Sequence, residues 1–341
     1  MQMKAVQIHG PRDVRIEEIA APALTDDGVL IRIHVCGVCP SDVRFYTGSR
    51  PGITYPRTTG HEWVGEVLEV GANVSEFRVG DRVAAFGQRV CGMCRNCQKG
   101  LFNICLNRLP AIRGGFCEIG WAVPEALVPI PDGVSYDAAS FTEPLACCYN
   151  GISRTPISPG DVVAIIGVGP IGQILAQLAR LRGARVVAID FDEERLDLAK
   201  QLGAWATLKA GQPDLAEQVR DLTDGYGADA AIVAVGSPRA AESAFKIVGQ
   251  GGAINLFAGT YPPTTIAVDP NVIHYKQLWV TGSFHFTPGG FRTAMGLISR
   301  GDVNLLPLVS HRLPLEEAGR AFELVATQGG MKVLVHMEGA N

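Results

Sequence analysis

Residues 161–190 read DVVAIIGVGPIGQILAQLARLRGARVVAID, a run that leaves few folds open. Val162–Ile166 is a short apolar, β-branched stretch, and Gly167, Gly169 and Gly172 follow it in G-x-G-x-x-G spacing. Apolar residues then recur at a helical period, and a second strand-like stretch, Arg185–Ile189, ends on Asp190. Strand, glycine turn, helix and strand in this order open a doubly wound sheet of the kind that binds dinucleotides. The first glycine permits the tight turn, and the second lets backbone approach a pyrophosphate. The third lets helix and strand pack closely. Pro170 and Ile171 start the helix, whose free N–H groups and dipole favour phosphate. Asp190 stands 18 residues beyond Gly172, near the interval expected for a carboxylate that accepts ribose hydroxyls. A carboxylate there repels a 2′-phosphate, so NAD(H) is expected rather than NADP(H), with Arg195 at the ribose edge. The competing reading is a glycine-tight turn in a domain that binds nothing; the complete context and the terminal acid argue against it.

A chain of 341 residues exceeds one comfortable core and suggests two domains. Up to about residue 148, short apolar alternations such as Val29–Val35, Trp63–Val70, Arg82–Phe86 and Ala126–Ile130 suit an antiparallel β domain. From Pro159 to about residue 284, strand and helix alternate, which argues for a parallel sheet covered on both faces. Helical stretches Gly290–Ser299 and Leu315–Thr327 and a strand Lys332–His336 close the chain. The net charge of −4 offers no broad basic surface, so nucleic acid is not an expected partner. The longest apolar stretch, Val162–Leu181, is broken by glycines, a proline, glutamines and an arginine, and does not read as a membrane span. Nine cysteines, an odd number, with no export signal at the start, point to a reducing cytoplasm.

Four of those cysteines, Cys91, Cys94, Cys97 and Cys105, stand in CGMCRNCQKGLFNIC. Such spacing can wrap one tetrahedral metal in thiolates, and zinc suits four soft sulfurs. A closed four-sulfur shell leaves no place for substrate, so this ion would pin a loop and take no part in turnover. Disulfides between adjacent C-x-x-C steps would be strained and would overlap.

Three further segments offer groups for a second, open metal site: Cys39 in CGVCPSD, His61 and Glu62 in TTGHEW, and Glu143 in FTEPLACC. Taken singly, each also reads as structural, and Glu143 before a proline could be a helix cap. Beside a nicotinamide domain they form a thiolate, imidazole and carboxylate set that fills three positions on zinc. The fourth is left for water or a substrate oxygen, whose proton a Lewis acid makes easier to lose.

Together these pieces resemble the zinc-dependent alcohol dehydrogenases of the medium-chain dehydrogenase/reductase superfamily over nearly the full length. The matching segments stand in family order: GVCPSD, GHEWVGEVLEVGANVSEFRVGDRV, the four-cysteine loop, GGFCEIGWAVPE, TEPLACC, GVGPIG, AID and LPLEEAGRAFELV. The resemblance implies an α/β chain: a GroES-like β-rich catalytic domain (1–148), an inserted Rossmann domain (149–284) and a C-terminal return to the catalytic domain (285–341). It implies two zinc ions per subunit, one structural on the four cysteines and one catalytic on Cys39, His61 and Glu143, with Glu62 as alternating ligand or nearby base. Ser41 would take the alcohol proton, and Asp42 would orient the ligand histidine. Pro40-Ser41-Asp42 is also good helix-start sequence, a role compatible with both. Within the family the likeness is to polyol dehydrogenases of the sorbitol type, because Glu143 stands in EPL where ethanol-type enzymes carry cysteine.

Two departures concern the substrate. Arg44 stands where many relatives have a histidine at the outer end of the proton path, and arginine is a poor proton carrier. In VTGSFHF, which supplies the cofactor candidates Ser283 and His285, His285 aligns where polyol dehydrogenases can place an arginine. Phe45, Tyr46 and Trp121 are candidate pocket walls. The implied activity is NAD(H)-linked interconversion of a secondary alcohol, polyol or sugar-derived, and its ketone. The alternative is an L-threonine 3-dehydrogenase type of amino-alcohol oxidation. The implied partners are a small-molecule alcohol and further copies of the chain, as dimer or tetramer, with the runs Ala253–Phe257 and Leu278–Thr281 as candidate sheet edge.

Overall fold

The computed structural model describes residues 1–337; the end of the expected C-terminal return, residues 338–341, lies outside the described residues. The chain divides into two compact units. One comprises Met1–Pro144, Thr287–Gly301 and the segment from Leu305; the other comprises Leu145–Phe286 with Asp302–Asn304.

The first unit is β-rich. Strands β1 (Gln2–Gly10) and β2 (Asp13–Ala20) form an antiparallel pair. Strand β3 (Val29–Gly37) alternates as its sequence does, and Val29, Ile31, Ile33 and Val35 all face the core. Directly after it, helix α1 (Pro40–Tyr46) begins with Cys39 as its N-cap and a proline at its first position. Strands β4 (Glu62–Val70), β5 (Arg82–Ala85), β6 (Ile119–Ala122) and β7 (Leu127–Pro129) follow; β4, β5 and β7 fall in the runs whose alternation marks them as strands, and β6 lies outside those runs. Helix α2 (Thr142–Ser153) carries Glu143 in its first turn.

The second unit holds β8 (Val162–Ile166), α3 (Pro170–Leu181), β9 (Arg185–Asp190), α4 (Glu193–Gln201), β10 (Ala206–Lys209), α5 (Leu215–Asp221) and β11 (Ala228–Val233). It continues with α6 (Pro238–Ile247), β12 (Val248–Leu256), α7 (Pro270–Lys276) and β13 (Trp279–Gly282). The six strands are parallel in the order β10-β9-β8-β11-β12-β13. In this doubly wound order the direction of winding reverses beside β8, and ligands bind at the carboxyl ends of strands at such a switch point. All five residues of β8 are buried, as a central parallel strand requires. Of the two runs expected at the sheet edge, only the later one lies there. Ala253–Phe257 falls largely in β12, which is hydrogen-bonded to β11 and β13, while β13 is the outer strand and exposes Trp279. The buried alternation Ala253–Ile254 had equal claim to either place because interior and edge strands share the same apolar pattern.

The chain closes with α8 (Pro288–Ser299), β14 (Val309–Pro314), α9 (Ala318–Ala326) and β15 (Lys332–His336). Strand β15 lies antiparallel to β3, with Leu334 opposite Gly37 and His336 opposite Val35, and parallel to β14. The curled sheet of the first unit therefore runs β7-β5-β4-β3-β15-β14, with β6 also on β3. No helix among the described residues is long and apolar enough to cross a membrane.

Candidate active site and metal centres

Cys39 and His61 come from the turns that leave β3 and enter β4, and Glu62 is the first residue of β4. A ligand atom from each of the three lies within 4.8 Å of the others. Asp42, 1% exposed, sits at their centre of support. Its Oδ2 accepts the Cys39 N–H at 3.1 Å and its Oδ1 accepts the Gly60 N–H at 3.1 Å. Oδ1 also faces His61 Nδ1 at 3.5 Å, which leaves the other ring nitrogen for a metal. Burial alone would lower the His61 pKa, but the charges of Asp42 and Cys39 outweigh it and raise it well above the ordinary value. A thiolate, an imidazole backed by a carboxylate and a nearby acid form a donor set that suits zinc.

Glu62 has a partner that sequence reasoning missed. Lys332, the first residue of β15, places its ammonium against Glu62 Oε2, and both side chains are buried. The two residues belong to strands on either side of β3 and meet over Gly37. A Cβ at Gly37 would collide with Glu62 Oε2 and stand 2.8 Å from Lys332 Cε. Burial pulls the Lys332 pKa down, yet Glu62, Cys39 and Glu143 together raise it above the ordinary lysine value. Glu143 is buried in the first turn of α2 and acts on the same ammonium, but it stands outside the Cys39–His61–Glu62 group. Ser41 is half-buried at the second position of α1.

The four-cysteine loop brings all its sulfurs within 4.8 Å of one another. Cys94 and Cys105 sulfurs stand 3.9 Å apart and Cys91 and Cys105 sulfurs 3.5 Å. Sulfurs bound tetrahedrally to zinc lie about 3.8 Å apart, as Zn–S bonds of about 2.3 Å dictate, whereas a disulfide needs about 2 Å. Backbone N–H groups point at the sulfurs: Leu106 N at 3.4 Å from Cys94 Sγ, and Cys94 N at 3.3 Å from Cys91 Sγ. The N–H groups of Leu106 and Cys97 hold the Cys94 thiol down at about 6, so it is a thiolate near neutrality.

In the second unit the glycine turn has the geometry its sequence implies. Gly167 adopts φ +88, Gly169 is the N-cap of α3, and a Cβ at Gly172 would collide with the Gly167 carbonyl. Pro170 and Ile171 occupy the first turn of α3. Asp190, at the end of β9 and 8% exposed, accepts the Val168 N–H at 2.7 Å and the Asp192 N–H at 3.1 Å. Arg195 brings a guanidinium nitrogen to 4.0 Å from where a Gly169 Cβ would lie. Ser283 donates to Asn255 Oδ1 at 3.3 Å, and His285 holds a left-handed φ of +60 with its carbonyl accepting from Asn150 at 2.9 Å. A non-glycine residue in that region stores strain, a feature that concentrates at ligand sites.

Two expected pocket walls are engaged elsewhere. The Tyr46 hydroxyl donates to Glu323 at 2.8 Å and its ring packs on Phe322 in the core. The Trp121 indole donates to Thr25 at 3.2 Å and fills the space left by Gly28. Alternation places a ring on one face of an element but does not say which face is core. The guanidinium groups of Arg57 and Arg50 lie over the Phe45 ring, at 4.0 and 4.7 Å from its centre.

A GroES-like β domain, a six-stranded nicotinamide-type sheet and a thiolate–imidazole–carboxylate cluster define a zinc- and NAD-linked dehydrogenase of the alcohol type. Residues 25–132 match the alcohol dehydrogenase GroES-like domain and residues 170–300 match the zinc-binding dehydrogenase domain. The chain is 34% identical to the sorbitol dehydrogenase of Halalkalibacterium halodurans over 336 residues, 96% of each chain. It is 33% identical to the D-arabitol-phosphate dehydrogenase of Enterococcus avium over 342 residues, 98% of this chain and 97% of the other. Among solved structures it resembles a zinc-binding dehydrogenase from Sinorhizobium meliloti crystallised with NADP, at TM-score 0.92 and 30% identity, over 98% of this chain and 99% of that one. The chain belongs to the zinc-dependent medium-chain dehydrogenase/reductase family.

Proposed function

We propose that this chain oxidises a secondary hydroxyl of a polyol or sugar-derived alcohol to the ketone, reversibly, with NAD(H). The observation that carries the reading is the convergence of the ligand atoms of Cys39, His61 and Glu62, with Cys39 and His61 braced by the buried carboxylate of Asp42, in a chain that resembles polyol-oxidising enzymes along its whole length. Cys39 and His61 would hold one zinc with a carboxylate, Glu62 as the residues stand or Glu143 in exchange with it, and Cys91, Cys94, Cys97 and Cys105 would hold a second. When bound, the first zinc supplies a Lewis acid that eases loss of the hydroxyl proton, and NAD supplies the hydride acceptor.

The chain's own groups do the rest. Asp42 fixes the His61 ring and the start of α1, so Cys39 and His61 are held in place before substrate arrives. Lys332 holds Glu62 by one oxygen, which keeps this carboxylate close without making it a permanent ligand. Ser41, two residues after Cys39, receives the hydroxyl proton. The turn at Gly167–Gly172 seats the pyrophosphate on the N-terminus of α3, Asp190 and Arg195 border the adenosine ribose, and Ser283 and His285 border the nicotinamide end. The protein would act in the cytoplasm as a dimer or tetramer built on the outer strand β13, whose Trp279 is exposed.

A panel of polyols, their phosphates and L-threonine, followed by NADH formation, tests this reading. Turnover on at least one polyol or polyol phosphate, lost with added chelator and in Cys39→Ala, is expected. Turnover on L-threonine alone would replace the substrate class, and a fully zinc-loaded protein that binds NAD and oxidises none of them would remove the activity.

A further inference from the structure

Gln173 lies four residues into α3, and its side chain is completely buried. Glutamine at such a position must satisfy its amide inside the protein. Its nitrogen does so by reaching two carbonyls outside its own helix or at that helix's approach. Its Nε2 donates to the Val168 carbonyl at 3.0 Å and to the Arg195 carbonyl at 2.8 Å. Both partners are acceptors, so the amide nitrogen must face them, and both of its N–H groups are used. Oε1 has no partner among the described residues.

These two bonds complete a closed circuit. Val168 is the residue between Gly167 and Gly169, in the turn that receives a pyrophosphate. Its N–H is held by Asp190 Oδ2 at 2.7 Å and its carbonyl by Gln173. The other Asp190 oxygen accepts the Asp192 N–H, and the Asp192 carboxylate in turn accepts the N–H groups of Glu194 and Arg195, at 2.9 and 3.2 Å. Gln173 then returns from the Arg195 carbonyl to Val168. The glycine turn and the β9–α4 turn are thus tied by Asp190 at one point and by Gln173 at another.

We propose that Gln173 is a positioning residue that sets the preference for a free adenosine 2′-hydroxyl over a 2′-phosphate. It touches neither. It acts by fixing the spacing of Asp190, Arg195 and the glycine turn. A 2′-phosphate at this ribose would be repelled by the Asp190 carboxylate unless that group gave up its bonds to the Val168 and Asp192 N–H groups. The Gln173 bonds to the Val168 and Arg195 carbonyls keep the two turns from separating, and with them the Asp190 carboxylate stays seated on both N–H groups. The inference rests on the NAD-linked reading and is independent of which alcohol is oxidised.

The test compares zinc-loaded wild type with Gln173→Met, a side chain of similar length without donors. Titration calorimetry with ADP-ribose and with 2′-phospho-ADP-ribose reads the two affinities, and amide hydrogen exchange reads the two turns. Loss of two buried hydrogen bonds predicts roughly tenfold weaker ADP-ribose binding. Binding of 2′-phospho-ADP-ribose should stay level or tighten, and amides of Val168 and Asp192–Arg195 should exchange faster. Gln173→Asn, which keeps the amide but is too short to span both carbonyls, should repeat the pattern if the Met variant folds poorly. Equal weakening of both ligands, which leaves their ratio unchanged, would make Gln173 merely structural and end the proposal. If wild type binds neither fragment, the NAD-linked reading itself falls. If wild type binds ADP-ribose and the variants keep its preference, only this inference does.

Discussion

The Glu62–Lys332 pair is where one residue's chemistry depends most on a distant one, 270 positions away. A buried ion pair is a weak source of net stability, but removing one partner leaves an uncompensated charge, at a cost of about 3–5 kcal/mol. Lys332→Met should therefore destabilise the protein strongly, whereas Lys332→Met with Glu62→Gln should recover much of the loss, as melting temperatures would reveal. The single variant also releases the Glu62 carboxylate beside Cys39 and His61. With cobalt in place of zinc, its visible absorption should shift from that of wild type, and the double variant should restore the wild-type band. An unshifted spectrum would mean that Lys332 has no hold on Glu62's access to the metal. Cys39, His61 and Glu62, which the structure brings together, could be picked out in the sequence because each sits in a short segment with its own punctuation, whereas Glu143, expected beside them, stands outside their group. Lys332 was not legible, because its role depends on the register of β15 on β3 and on the missing side chain at Gly37, and neither is local.

At the scale of elements, the glycine turn and the four-cysteine loop behave oppositely. The turn between β8 and α3 is made by the backbone itself, and Gly172→Ala tests it. The added methyl would collide with the Gly167 carbonyl and stand 2.9 Å from its carbon, so strand and helix must separate. A loss of about 1–3 kcal/mol is expected for such overpacking, together with weakened NADH binding in a fluorescence titration. Retention of both would show that the turn has room its geometry denies. The loop from Cys91 to Cys105 contains only a four-residue helix and a three-residue 3₁₀ turn, too little to hold itself. A zinc held by the four cysteines would supply much of its order, so stripping that ion should lower the melting temperature by roughly 5 °C or more. Zinc analysis should show the Cys97→Ala protein losing one equivalent while the second is retained. Strand order in the parallel sheet was partly legible: the fingerprint fixed β8, α3 and β9, but nothing local separated the interior β12 from the edge strand β13. Both are apolar, and only the neighbour on the far side distinguishes them.

Over the whole chain, the first unit is made from segments far apart in sequence, and Asp137 is one of the groups that join them. Its carboxylate, with a side chain 15% exposed, receives Arg312 Nε at 2.6 Å and faces His336 Nε2 at 3.1 Å. Those partners lie on β14 and β15, so one carboxylate fastens both returning strands to the front of the chain. Burial pushes the Asp137 pKa up, but hydrogen bonds and charge from His336 and Arg312 prevail and hold it below the ordinary aspartate value. The sign of the resulting pH dependence follows by linkage. Between the depressed folded pKa and the unfolded value near 3.9, the unfolded chain binds more protons, so stability rises with pH across that interval. Above it the contribution is complete, and below the folded pKa it is gone. Arg312 is 44% exposed, so solvent screening trims the contribution to about 1 kcal/mol. Asp137→Asn should accordingly lower stability at neutral pH by about that amount and leave the difference from wild type shrinking as the pH falls through the acid interval. Denaturant titrations of both proteins across that range would measure it. A difference that stays constant or widens toward acid would mean that the carboxylate's charge is not what secures the two strands.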